Sequence, residues 1–414
     1  MRIRKYYGLI ENFISLTLLK VVDAFIPLII IPFLISIVGS ENYGKYAFAY
    51  ALIFYLINFI QYGLSLSAVR LIAINKDNKN MLNKIYSDVF TTQLYIFLFV
   101  CFLLIILVLF VNKFNSYFLI YIFFILYLMG ELLSPLWFFL GIEKMRFITI
   151  VNVISKSTFA LFVFIFIKEQ SDFIYISLYQ SIGFFLAGLI AQVIIFKKFK
   201  IRLKLSAFKE VKLILKNGVS AFLTMVTPTL YSNTSIFLVG FFGIPQYVAF
   251  MEIGSKVSGA FGVLNGVLTN VFYPFINRNK NAIDKIKYLF IISGFILSML
   301  MFLLSEFLIG LWLPEPSPEI IKVVKLLSPS PFLMSVISTF GVNGLMVQNK
   351  DKLYLKVVII GSFSGLIAGL ILIPKYFYLG GAIAIIIART IKAILSYYYS
   401  QSILNPVKPD SNEI

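Results

Sequence analysis

Eight charged residues interrupt otherwise apolar stretches of this chain: Lys20, Asp23, Glu131, Lys156, Glu252, Lys256, Arg389 and Lys392. A charge at the centre of a bilayer costs about 2.5–3.5 kcal/mol on insertion scales. Such residues therefore face an interior cavity, pair with each other, or meet a charged cargo. Lys20 and Asp23 are three apart and Glu252 and Lys256 four apart, so each couple shares a helix face and could close as a pair. Glu131 could answer Lys156 or Arg389. Arg389 and Lys392 lie three apart with like sign, which calls for something anionic beside them. Matching each carboxylate to one cation leaves two of the five cations over. A cationic cavity that binds an anion is the economical chemistry for that surplus.

Other chemistry is constrained by what the chain lacks. It has no histidine, which removes His-based metal sites and His proton relays, so any proton coupling must run through carboxylates. Its one cysteine, Cys101, lies in an apolar stretch and has no partner for an intramolecular disulfide; it reads as a small core residue. There is no P-loop, no nucleophile motif and no metal-binding carboxylate pair. Neither a cofactor nor a metal site is expected.

The elements that must hold these charges are membrane helices. The chain is 60% hydrophobic and 13% charged, where soluble domains run near 25% charged. A bilayer crossing needs about 20 apolar residues. The apolar runs predict about twelve, at 11–38, 43–69, 89–111, 117–141, 147–168, 173–196, 216–239, 246–275, 287–311, 322–347, 353–374 and 380–403. They leave no room for a soluble catalytic domain. The first run is too long for a cleavable signal peptide and lacks a small-residue cleavage site. The net charge of +18 would suggest nucleic acid in a soluble chain. Here the distribution gives another reason. With the amino terminus taken as cytoplasmic, only Lys45, Lys113, Lys168, Lys322, Lys325 and Lys375 fall on outer connections, and the remaining loop Lys and Arg fall on inner ones. That is the orientation signal of membrane proteins. Both termini are expected on the cytoplasmic side, and no nucleic-acid partner is needed.

The longest polar stretch runs from Lys197 to Lys216 and follows the sixth predicted crossing. It reads as a topology determinant and linker, and as a surface for anionic headgroups at about 1 kcal/mol per basic residue. It predicts a six-helix bundle at 1–196, a basic linker at 197–215 and a second six-helix bundle at 216–414. Gly39-Ser40-Glu41-Asn42-Tyr43 resembles Gly243-Ile244-Pro245-Gln246-Tyr247, half a chain later. With six crossings on each side, that supports a parallel repeat about an axis along the membrane normal, a class that binds substrate near the midplane. Pro27 and Pro32 bend the first crossing and make it a plausible moving part. On the eighth, Gly259, Gly262 and Gly266 allow close backbone approach. Trp312 to Ile321, with Pro314, Pro316 and Pro318, predicts an extended cap at the outer interface, where Glu315 and Glu319 sit isolated. Asn58, Gln61, Asn233, Asn265 and Asn270 are polar residues inside crossings. Each could hydrogen-bond a sugar hydroxyl, and each is at least as well explained as interhelical glue worth about 0.6 kcal/mol.

The opening, Pro27-Leu28-Ile29-Ile30-Ile31-Pro32, then Gly39, Tyr43-Gly44, Tyr62-Gly63, Ser67-Ala68, Arg70 and Ala73, resembles Wzx-type O-antigen and polysaccharide flippases, within the multidrug/oligosaccharidyl-lipid/polysaccharide exporter superfamily. Asn233, Gly240-Phe241-Phe242-Gly243, Tyr247, Lys256 and Tyr273-Pro274 look like that family's second half, more loosely. The resemblance implies an all-α polytopic membrane protein of two pseudo-symmetric six-helix bundles in the bacterial inner membrane. It implies that an undecaprenyl-pyrophosphate-linked repeat unit is moved from the cytoplasmic to the periplasmic leaflet by alternating access. Lys20, Lys156, Lys256, Arg389, Lys392 and Arg70 would then meet pyrophosphate or acidic sugars. Asp23, Glu131 and Glu252 would be the candidates for ion coupling. Asn58, Gln61, Asn233 and Asn265 would be the weaker candidates for glycan contacts. With no ATP site, the drive would be a proton or sodium gradient or downstream consumption of the product. Membrane lipids, a polysaccharide polymerase and a chain-length regulator are the candidate partners of an expected monomer.

Two other readings compete. An ion-coupled exporter of small cationic molecules, from the same superfamily, needs a negative or aromatic pocket, and the surplus of positive charge argues against it. A membrane-embedded polysaccharide polymerase generally carries a large outer loop or an interfacial acidic cluster, and the outer connections here are short.

Overall fold

The computed structural model describes residues 2–278, 282–314 and 316–404. All regular structure among them is helical, with no strand. That is what a lipid environment demands, because every backbone N–H and C=O must find its partner within the segment. The helices form two compact units, one ending at Val226 and the other starting at Thr227.

In the first unit, α1 (Arg2–Gln61) is 60 residues long. At 1.5 Å per residue that is about 90 Å, three times a hydrocarbon core of about 30 Å. It is broken at Gly39, whose φ of 78° and ψ of 162° are not helical and suit a residue without Cβ. Contacts give the direction of each half. The first half runs alongside α7 (Met145–Phe166): Thr149 donates to the Ser15 carbonyl at 2.8 Å, and the Phe33 and Phe164 rings meet at 4.6 Å. The second half runs alongside α5 (Phe118–Leu133), Tyr50 meeting Tyr127 and Gln61 meeting Glu131. α8 (Phe173–Val193) lies along α5 but antiparallel to α7, so the halves of α1 run in opposite directions. Small residues let α5 and α8 touch: a Cβ on Gly188 would lie 2.8 Å from the Gly130 carbonyl.

The rest of this unit comprises α2 (Leu64–Ile74), α3 (Lys79–Phe110), α4 (Asn112–Asn115), α6 (Leu136–Gly141) and α9 (Phe208–Val226). Asn78 caps α3 by accepting from the Met81 amide at 3.1 Å. Phe99, Phe102 and Phe110 on α3 are at least 63% exposed, as suits side chains that face lipid. A buried cluster around Tyr86, Trp137, Phe138 and Phe139 closes one end of the unit.

The second unit holds α10 (Thr229–Phe242), α11 (Pro245–Arg278), α12 (Ala282–Leu303), α13 (Ser305–Trp312), α14 (Pro318–Leu327), α15 (Ser330–Val336) with a π-helical continuation Ile337–Met346, and α16 (Asp351–Leu404). α16 has 54 residues and breaks at Phe377, φ 47° and ψ −121°. It is a hairpin, because Gly361 abuts Lys392, Gly365 abuts Ala388, and Gly380 abuts Leu372. Pro318, at the first turn of α14 behind the N-cap Ser317, starts a helix where the sequence predicted an extended cap. Glu315 lies outside the described residues.

Among the described residues nine helices are long and apolar enough to cross a membrane, or ten if α9 and α10 count together as one crossing. Two of the nine are those that reverse at Gly39 and at Phe377, each long enough for two crossings. With the α9–α10 pair counted as one, the total is twelve, and the chain is a multi-pass membrane protein. The unit boundary differs from the expected one. The segment 197–215 was expected to separate the bundles, but it is fastened to the first unit. The Arg202, Lys204 and Ser206 amides donate to the side chains of Asn83, Ser87 and Thr91 at 2.9, 3.0 and 3.1 Å, and Ser206 also bonds Asp88. Two extended residues span about 6.6 Å and four helical ones about 6 Å, so the register holds over three rungs. α9 packs on the same unit, and the chain leaves it at Val226, inside the predicted seventh crossing.

Candidate functional site

In the first unit one pair of intramembrane charges closes across two helices. Lys156 on α7 forms an ion pair with Asp23 on α1. Lys156 therefore takes Asp23, and not Glu131, as its carboxylate. The cause is the side-by-side course of α7 and the first half of α1, which brings residues 133 apart in sequence together. The side chain of Lys20 lies outside the described residues. Glu131, 6% exposed, accepts from Gln61 Nε2 at 2.9 Å instead. Gln61 is thus taken up by a carboxylate. Asn58, buried, donates to the Phe54 carbonyl one turn back on its own helix at 2.6 Å. Arg70 is exposed on α2 and does not join the buried charges.

In the second unit the pairing is incomplete. Glu252 and Lys256 close the i, i+4 pair on α11 at 3.1 Å, as their spacing predicted. Arg389 and Lys392 on α16 have no carboxylate among the described residues. Arg389 donates to the Ser258 hydroxyl at 3.3 Å, and its Nε is buried without a partner. Lys392 is 5% exposed, with its Nζ 4.0 Å from the centre of the Tyr231 ring. The Tyr231 hydroxyl hydrogen-bonds both cations. A phenol stands where an anion was expected. It offers a negative ring face and one acceptor, which solvates the cations without cancelling their charge. Gly361 makes room, since a Cβ there would collide with the Lys392 stem. Of the five intramembrane cations, these two are the ones with a described side chain and no carboxylate among the described residues. Asn265 is 1% exposed and donates to the Pro331 carbonyl at 2.7 Å, an interhelical tie from α11 to α15. Asn233 is half-buried on α10. The side chain of Asn270 lies outside the described residues.

Tyr231 and Ser258 were missed in the sequence, as were Tyr46, Tyr50, Tyr127 and Gln180 near Glu131. Tyr127 and Glu131 are four apart, and Tyr46 and Tyr50 likewise, so a search for polar residues sharing a helix face could have found that second group. Tyr231 carries no such signal.

The model of the family described as "Polysaccharide biosynthesis protein" matches residues 9–280. The chain belongs to this polysaccharide biosynthesis family. Among its relatives is a protein of Escherichia coli (strain K12) provisionally assigned as an O-antigen transporter. It is 27% identical over 372 residues, covering 88% of this chain and 89% of that one. A Shigella dysenteriae protein with the same assignment is 25% identical over 393 residues, covering 92% and 97%. The fold is similar to that of the lipid II flippase MurJ in an inward closed conformation. The TM-score is 0.71 at 18% identity, over 96% of this chain and 87% of that one. This family member therefore has the exporter-superfamily fold the sequence resemblance implied.

Proposed function

We propose that this protein moves an undecaprenyl-pyrophosphate-linked oligosaccharide repeat unit, of an O-antigen or related surface polysaccharide, from the cytoplasmic to the periplasmic leaflet of the bacterial inner membrane. It acts by alternating access and as a transporter, not an enzyme. The observation that carries this reading is the Arg389–Lys392–Tyr231 group: two cations within a predicted crossing with no carboxylate partner among the described residues. Holding unpaired charge there is costly, and a passing pyrophosphate would relieve it. Charge-assisted hydrogen bonds from Arg suit phosphate oxygens. Membership of a polysaccharide biosynthesis family and two relatives assigned as O-antigen transporters support the glycan. The likeness to a lipid II flippase supports the lipid carrier. The basic inner loops support cytoplasmic termini. The drive is an ion gradient or consumption of the product on the far side.

The test is deletion in the native host, with lipid-linked oligosaccharides and surface glycan assayed together. Repeat units should build up on undecaprenyl pyrophosphate facing the cytoplasm while surface polymer disappears. Single repeat units reaching the periplasmic face unpolymerised would overturn the reading in favour of a polymerase.

A further inference from the structure

Glu131 is the one buried carboxylate among the described residues. Among the described residues its side-chain partner is a neutral amide, Gln61. The ionisable groups around it are tyrosines: Tyr127 one turn earlier on α5, Tyr50 hydrogen-bonded to Tyr127, and Tyr46 stacked 6.3 Å from Tyr50. Tyr46 in turn donates to Gln180 of α8 at 2.8 Å. α8 itself, Phe173–Val193, contains no charged residue. The charged residues of α3 are Lys79, Lys84 and Asp88, all in its opening turns, with Asp88 bonded to Ser206. α4 brings Lys113, which lies over the Phe48 ring. On α1, Lys45 pairs with Glu41 and Asp23 with Lys156. Among the described residues an ionised Glu131 has one neutral donor and no counter-charge, so a proton gained or lost there changes what Gln61 must do.

Gln61 is also the last residue of α1. Tyr62 and Gly63 follow with φ of 44° and 67°, a left-handed elbow before α2. That elbow is seated on α9. The Tyr62 ring stacks on Phe222 with centroids 4.9 Å apart, and its hydroxyl donates to the Leu215 carbonyl at 3.1 Å. Gly218 leaves room for the ring, and a Cβ on Gly63 would collide with the backbone of Ala221 and Phe222. Ser65 contacts Met225 Sδ at 3.0 Å. A titratable group, a backbone break and the last helix of the unit are thus joined in one chain of contacts.

We propose that Glu131 is a proton-binding site, and that Gln61 and the Tyr62–Gly63 elbow pass its charge state to α9. The step is a single proton transfer: hydronium gives a proton to the carboxylate, leaving water and a carboxylic acid. As a carboxylate, Glu131 accepts from the Gln61 amide; as an acid it donates to the Gln61 carbonyl oxygen, which requires the amide to turn over. Gln61 and Tyr62 are positioning residues in this scheme. Its use in transport rests on the flippase reading above, but its operation does not.

Hydrogen exchange on the purified full-length protein in nanodiscs tests it without any glycan. Exchange is compared at about pH 5 and about pH 8 after correction for intrinsic rates. In the wild type, residues 58–66 and 213–226 should change together. Glu131→Gln should abolish that response in both segments. Tyr62→Phe, which keeps the ring stack and loses the Leu215 bond, should uncouple 213–226 and serves if Glu131→Gln does not fold. No response in the wild type, or a wild-type response in Glu131→Gln, overturns the proposal; so does an undiminished response of 213–226 in Tyr62→Phe. In cells, Glu131→Gln should remove the pH dependence of flipping. Retained pH dependence there, with the exchange response lost, would overturn its role in transport. A normal exchange response in a protein whose deletion leaves surface glycan intact would overturn the flippase reading alone.

Discussion

The two units treat buried charge differently. In the first, Lys156 is matched by Asp23 across two helices, and Glu131 is held by an amide. In the second, Glu252 and Lys256 match each other, while Arg389 and Lys392 are left with a serine and a tyrosine. A closed ion pair spends its charge on the structure. Cations solvated by two hydroxyls and a ring keep theirs uncancelled. On the proposed function, the first unit's pair would serve stability and the second unit's cations would serve cargo.

The strongest attempt to break the contrast is Arg389→Ala with Lys392→Ala. Each cation is expected to supply about 1.5–3 kcal/mol of charge-assisted bonding, and each 1.4 kcal/mol is about tenfold. Flipping should fall by more than about tenfold at unchanged membrane abundance, read as accumulated lipid-linked oligosaccharide against a blot. Wild-type flipping at matched abundance would make the two cations structural.

Lys156→Ala should behave in the opposite way. It should lower thermal stability in detergent, by roughly 1 kcal/mol because the pair is partly open to its surroundings, and leave flipping per folded molecule near normal. Asp23→Asn should do the same, and adding it to Lys156→Gln should recover part of the loss, since both charges then go together. If Lys156→Ala instead stops flipping in a fully folded protein, the division between the units fails.

Tyr231→Phe sharpens the second side. The ring stays under Lys392 while the hydroxyl shared by both cations is lost, so flipping should fall several-fold, less than in the double alanine variant. The smallest effect is expected for Asn58→Ala, which removes a bond to its own helix worth about 0.6 kcal/mol. A loss of flipping there, with the protein folded, would make Asn58 a contact for cargo.

Twelve crossings were legible because each is a long apolar run, and a bilayer leaves such a run little choice. The turn between the first two was legible too, since Gly39 is the residue that tolerates that backbone. The Glu252–Lys256 pair was legible because one helix turn contains both partners. Lys156–Asp23 was not, because nothing local couples residues 133 apart. The unit boundary was misplaced for a related reason. A run of basic residues looks like a free linker, and its anchorage lies in side chains of α3 more than a hundred positions earlier.

The sequence by itself determined that this is a helical membrane protein, how charge is distributed over its loops, and that five cations but three carboxylates fall within its predicted crossings. Those are properties of composition and local spacing. Only the tertiary structure decided that Arg389 and Lys392 meet no carboxylate among the described residues, that Tyr231 stands beside them, and that Glu131 leans on an amide at a helix break. Each depends on which faces of distant helices meet, and packing between helices sets that.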